Sequence, residues 1–147
     1  MSQVRKTLGL AEARTAIDAM LAKARDMGGR PVALVVCDDR GDAICQVAMA
    51  GVNAALARQN AFKKAYTSAV MRIDTRGFAE RLKDLPGGVL SFGNKNLFAG
   101  GGGAVLVAVD GTILGGIGVS GRTNEEDEEI AQAGKAALFS SLTGSQA

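Results

Sequence analysis

Apolar residues return every three or four positions between Thr7 and Met27, at Ala13, Ile17, Leu21 and Ala24. That spacing predicts a first helix, with Gly28-Gly29 as its stop. After Pro31 the pattern changes to the unbroken apolar run Val32-Ala33-Leu34-Val35-Val36-Cys37, suited to a buried strand. Asp38 to Asp42 reads as a turn, and Ala43 to Met49 as the antiparallel partner of that strand. Asn53 is a natural cap for a long helix reaching Met71. Ala57, Ala61, Ala65 and Ala69 form a small-residue stripe on it that allows close approach to a sheet, with Arg58, Lys63, Lys64 and Arg72 toward the polar sides. A shorter helix follows from Thr75 to Leu82, and Leu85-Pro86-Gly87-Gly88 breaks it. Val89 to Ala99 fits either a short strand or a loop. Beyond Gly100 to Gly103, Ala104–Val109 and Thr112–Ser120 form a second hairpin around Asp110-Gly111. Thr123 and Glu126 have the spacing of a capping box for a last helix whose apolar face carries Ile130, Ala133, Ala137, Leu138 and Leu142.

The order α-β-β-α-α-β-β-α, with hairpins in place of repeated βαβ units, predicts an α/β (α+β) fold in which helices cover an antiparallel sheet. Nothing in residues 1–147 reads as a linker or a repeat, so one domain is expected.

Composition sharpens this picture. Apolar residues make up 47% of the 147 and aromatics only 4%, so the core must be built from Ala, Val, Ile and Leu. The 20 glycines cluster, which points to backbone positions with special demands. A net charge of +2, without basic runs interleaved with aromatics, gives no sign of nucleic-acid binding. No apolar run approaches the roughly 18–20 residues that span a bilayer, and the amino-terminal residues do not form a signal-peptide core. A cytoplasmic protein is expected, unless a leader has been removed. The absence of histidine rules out Ser-His-Asp and Cys-His catalysis and His-ligated zinc. Chemistry would have to come from Lys, Arg, Tyr, Cys, carboxylates or backbone groups.

Gly116 to Gly121 matches the dinucleotide fingerprint G-x-G-x-x-G by letter, but only one helix and no later strand follow it. The other readings are a strand packed tightly beneath a helix, or glycines that leave room for a ligand. The Gly100 to Gly103 run lacks the Gly-Lys-Ser/Thr of a P-loop; it is either an anion-binding nest or a flexible connection. Cys37 and Cys45 could face each other across the first hairpin, most simply as free thiols. Arg58, Lys63 and Lys64 read as a solvated face or an anion site. Tyr66, the only tyrosine, reads as a packing residue with its hydroxyl at the edge, as a pocket donor, or as a haem ligand.

Three segments carry a resemblance. Val32 to Gly41 resembles a "VAVVDAGG" hairpin opening, and Ala61 to Ala69 an "A-x-x-KA-x-TA" helix. Val109 to Gly121, with the acidic helix start and Ala131-Gln132-Ala133-Gly134, is similar to "V-DG-x-x-x-GAIGVSG…QDE-x-x-A-x-AG". These are motifs of the GlcG-like and haem-binding HbpS-like family, which includes the carboxy-terminal domain of PduO-type proteins. The resemblance runs from about Thr7 to Leu142. It implies a profilin-like sandwich, assembly into dimers or larger homo-oligomers, and a pocket between the glycine loop and the long helix. Gly101, Gly102 and Gly103 are the ligand-binding positions it carries over, with Ser120 and Gly121 as additions. The family's proline after the glycine run is replaced here by Gly103-Ala104-Val105, and histidine-ligated haem is impossible.

Three functions follow. The first is a protein binding haem or an anionic metabolite in the glycine-lined pocket, beside Arg58, Lys63 and Lys64. The second is a catabolic enzyme of isomerase or hydratase type on a small carboxylate-bearing metabolite, with Lys63 or Tyr66 as acid or base and the Gly101 to Gly103 amides holding an enolate. The third is an oligomeric scaffold without a ligand.

Overall fold

The computed structural model describes residues 7–144. The chain runs α1 (Leu10–Met27), β1 (Ala33–Asp38), β2 (Ala43–Ala48), α2 (Ala54–Met71), α3 (Thr75–Arg81), a 3-10 helix (Gly88–Phe92), β3 (Gly103–Val107), β4 (Ile113–Ser120) and α4 (Asn124–Gly144). The expected order holds, and the ambiguous stretch after the Pro-Gly-Gly break opens as a 3-10 helix, neither strand nor open loop. The strands form one antiparallel sheet of order β2-β1-β4-β3. Among the described residues no helix is long and apolar enough to cross a membrane.

Local chemistry sets the turns. The Asp38 carboxylate accepts from the amides of Arg40 and Asp42 and closes the first hairpin. The Asp110-Gly111 turn is held by Ala108–Thr112 and Gly111–Ala108 backbone bonds. Asn53 occupies the cap position of α2, although its side chain makes no capping bond. Thr123 and Glu126 do form the box: the Glu126 amide donates to Thr123 Oγ1 at 3.2 Å, and the Thr123 amide to Glu126 Oε1 at 3.4 Å.

The sheet has two differently built faces. Leu34, Val36, Ile117, Val119 and Leu106 point toward α1 and α4, where they meet Ile17, Met20, Ile130 and Leu138 in the larger core. Ala33, Val35 and Cys37 point the other way, toward Ala57, Ala61, Ala65 and Ala69 of α2. On that second face the central strand β4 offers Gly116 and Gly118. A Cβ at Gly118 would meet the Ala61 carbonyl oxygen, and one at Gly116 would meet Ser68 Oγ and the Ala65 carbonyl oxygen. The fingerprint-like glycines are therefore a strand packed beneath a helix, with backbones in near contact.

The hairpin register separates the cysteines. The regular register sets Cys45 opposite Val36, and an irregularity after Val36 sets Cys37 opposite Ala43. Cys37 therefore packs beneath α2 and Cys45 against the other core, so the two thiols do not face each other. Both are free.

The β3 edge is closed by side chains from the start of α3. Thr75 Oγ1 accepts from the Gly103 amide at 2.8 Å and Asp74 Oδ1 from the Val105 amide at 2.9 Å. Two ladder donors that an edge strand leaves open are satisfied there. Phe78 on α3 is fully buried with Leu82 and Leu97 in a small satellite core.

Candidate functional site

Four glycines in a row connect the segment after the 3-10 helix to β3, and all four are buried. Gly102 has φ +117° and sits where a Cβ would lie 2.6 Å from the Val119 carbonyl oxygen and 2.9 Å from Lys64 Nζ. Gly103 is equally confined by Thr75 and the Lys64 carbonyl, and Thr75 takes its amide hydrogen. This half of the run is packed backbone. The other half is open on one side: Gly100 and Gly101 line a cleft of about 260 Å³ with Arg76, Ala79, Asn124 and Glu125.

The cleft lies between α3 and the first turn of α4. Its ionisable groups are Arg76, Glu80, Glu125 and Glu128, and Arg76 is already paired with Glu128 at 3.3 Å. Glu80 is paired in turn with Lys83 at 3.4 Å, so three carboxylates meet two cations, and the amino-terminal end of α4 partly offsets the difference.

Directly behind Gly102 lies the feature that periodicity assigned wrongly. Lys64 was expected on the polar side of α2; it is 2% exposed, and Asp127 on α4 is 1% exposed. Lys64 Nζ donates to Asp127 Oδ2 at 3.1 Å and to the Val119 carbonyl at 2.9 Å, and lies 5.1 Å from the centre of the Phe98 ring. The other Asp127 oxygen accepts from the Arg122 amide at 3.1 Å. Burial pushes the lysine down from its ordinary value, opposed by the carboxylate beside it. Burial likewise pushes the Asp127 carboxyl up, opposed by the ammonium and the Arg122 amide. Neither residue lines the cleft; the pair joins α2, β4 and α4.

The remaining candidates separate. Arg58 is exposed and borders another hollow, of about 160 Å³, beside Ala33, Val35, Gln46 and Ala48. Lys63 is half-buried on α2 and does not line the cleft. The Tyr66 ring lies against Gly41 at the first hairpin and 5.9 Å from the Phe62 ring, and its hydroxyl accepts from Asn94 Nδ2 at 3.1 Å. Ser120 is buried opposite Ala33, and Gly121 packs against the Pro31 carbonyl. Of the predicted set, Gly101 alone lines the cleft; Gly102 and Gly103 form the wall behind it with Lys64.

Comparison with known proteins places this geometry in context. A family described as "Haem degrading protein HbpS-like" matches residues 8–136. No curated protein matches the chain. Among solved structures, HbpS is 27% identical, with 94% of each chain covered and a TM-score of 0.82. A PduOC–haem complex is 26% identical, covering 90% of this chain and 95% of that one, with a TM-score of 0.78. Protein ORFY of Klebsiella pneumoniae is 24% identical, covering 93% and 94%, with a TM-score of 0.82, and shows the fold alone.

Proposed function

We propose that this chain, which belongs to the HbpS-like family, is a small-molecule-binding protein whose ligand enters the cleft at Gly100 and Gly101. The observation that carries this reading is the preformed hollow of about 260 Å³ between the glycine backbone, α3 and α4. It is close to the lower bound of about 300 Å³ for ligand pockets. Binding is favoured over turnover because neither Lys63 nor Tyr66, the acid-base residues of an isomerase or hydratase, borders it.

Haem is supported as a ligand by family membership and by the haem complex of PduOC, a 26% identical protein. Of the side chains that could ligate haem, histidine is absent and Cys37 and Tyr66 fit poorly. The sequence has no histidine, and Cys37 is buried with its thiol pushed up to about 12 by burial. The Tyr66 hydroxyl is engaged by Asn94. What the cleft accommodates is the apolar edge of a flat ring, with acidic groups turned outward from its carboxylate rim. Homo-oligomers, which the resemblance implies, would leave room for a second chain to complete such a site.

A haemin titration followed by its Soret band tests the reading, with Ala79→Phe to narrow the cleft and Tyr66→Phe alongside. A saturable, stoichiometric shift weakened by Ala79→Phe is expected. A shift altered only by Tyr66→Phe would move haem to that hydroxyl, and no saturable shift would remove haem. Thermal-shift screening of small metabolites then decides the cleft itself: no ligand sensitive to Ala79→Phe would overturn it.

A further inference from the structure

Another hollow matches the cleft in size and differs from it in lining. It measures about 270 Å³ and is lined by Val89, Leu90, Gly93, Asn94, Lys95 and Leu97. Leu97 is buried in the satellite core with Phe78 and Leu82, so the floor belongs to the packed body of the protein. The walls are apolar and open: Leu90 is 84% exposed and neighbouring Phe92 44%, with the Phe92 ring 5.8 Å from that of Phe78. Large apolar side chains presented together on a surface mark an interaction site.

The polar groups at its rim are donors. Asn94 Oδ1 is occupied by the Asn96 amide at 3.0 Å, and one Nδ2 hydrogen goes to the Tyr66 oxygen, leaving the second Nδ2 hydrogen to offer. Lys95 adds an ammonium with three donors. An apolar wall with the Lys95 ammonium and an Asn94 amide hydrogen at its rim favours a molecule with an apolar body and an anionic or carbonyl end. Size narrows this further: a dry cavity of about 150 Å³ holds benzene, so this hollow has room for one ring and a carboxylate.

We infer that the hollow formed by Val89 to Leu97 is a binding site for a small apolar carboxylate of about one ring. It is distinct from the cleft and does not rest on the reading given for it. The carboxylate-rich cleft repels such a ligand, whereas the Lys95 side attracts it, so the two sites sort ligands by charge.

Benzoate titrated into the ¹⁵N-labelled full chain tests this directly. The expected result is saturable movement of amides within Val89 to Leu97, with benzyl alcohol, which keeps the ring and lacks the charge, binding several-fold more weakly. Lys95→Gln should raise Kd up to about fivefold, the ceiling for an exposed charge contact. Leu90→Asp should abolish binding, and Arg76→Gln in the cleft should leave it unchanged. Benzoate-induced shifts at Gly100, Gly101 and Asn124 instead, equal binding of benzyl alcohol, or no saturation would each overturn the assignment. So would concentration-dependent broadening of Val89 to Leu97 that benzoate does not relieve and Leu90→Asp abolishes, since the patch would then be covered by a second copy.

Discussion

The two faces of the sheet are closed by opposite means. Toward α1 and α4 the space is filled: Leu34, Val36, Ile117 and Val119 interdigitate with Ile17, Met20, Ile130 and Leu138. Toward α2 the space is removed: alanines lie on Gly116 and Gly118, and the helix rests on strand backbone. A filled face tolerates the loss of a methyl group better than a closed face tolerates the gain of one, because only the former can relax into the change. The closed face also carries the buried charge. With α2 drawn so near, Lys64 reaches a β4 carbonyl and Asp127 without crossing solvent.

The largest effect tests that charge. Lys64→Met leaves the buried Asp127 carboxyl without its counter-ion and should cost about 3–5 kcal/mol in urea unfolding. Pairing it with Asp127→Leu should recover most of that loss; a double variant no better than the single would show that the pair is not the reason. Next comes a contrast between neighbours on β4. Gly118→Ala adds one methyl group against the Ala61 carbonyl and should cost about 3 kcal/mol or more. Ile117→Val removes one on the other face and should cost about 0.5–1.5 kcal/mol. The reverse ranking would dissolve the distinction between the faces.

Smaller effects sharpen it. Burial under α2 raises the Cys37 thiol from 9.0 to about 12. Above pH 9 the unfolded chain gives up a proton that the folded chain keeps, so this group's contribution, full below that pH, is lost toward pH 12. The slope is at most about 1.4 kcal/mol per pH unit, and Cys37→Ala should flatten it in paired unfolding curves. Iodoacetamide should label half-buried Cys45 in the native protein well before fully buried Cys37. Thr123→Ala should cost about 1 kcal/mol through the lost cap of α4.

Much of this architecture was legible because local signals agreed with the global fold. The Thr123–Glu126 box, the Asp110-Gly111 turn and the Ala57 to Ala69 stripe each act within a few residues and formed as expected. The site was less legible, for reasons of angle and partner. The four-residue stripe drifts around α2, and at 100° per residue Lys64 falls only about 20° from Ala57, on the sheet-facing side; Lys63 falls about 120° away. The wheel therefore held a signal for Lys64. In the "KA-x-TA" match, too, the lysine is Lys64. Its carboxylate partner is 63 residues distant, and no local pattern shows that pairing. The glycine run was legible as special backbone, but not the division between Gly101 at the cleft and Gly102 against Lys64, which depends on where α3 and α4 arrive. The Cys37–Cys45 geometry failed on register: the ladder sets Cys45 opposite Val36, one residue from where symmetry about Gly41 would put it.

The Lys64–Asp127 contact also governs how the protein opens. One ammonium holds a β4 carbonyl and a carboxylate whose second oxygen holds the Arg122 amide at the approach to α4. The first turn of α4 consequently cannot fray alone, as helix ends usually do, without exposing an unpaired charge in the interior. In native-state hydrogen exchange the Arg122 and Asp127 amides should share the slow opening of the central strand. The wall behind the cleft and the middle of the sheet then breathe as one unit.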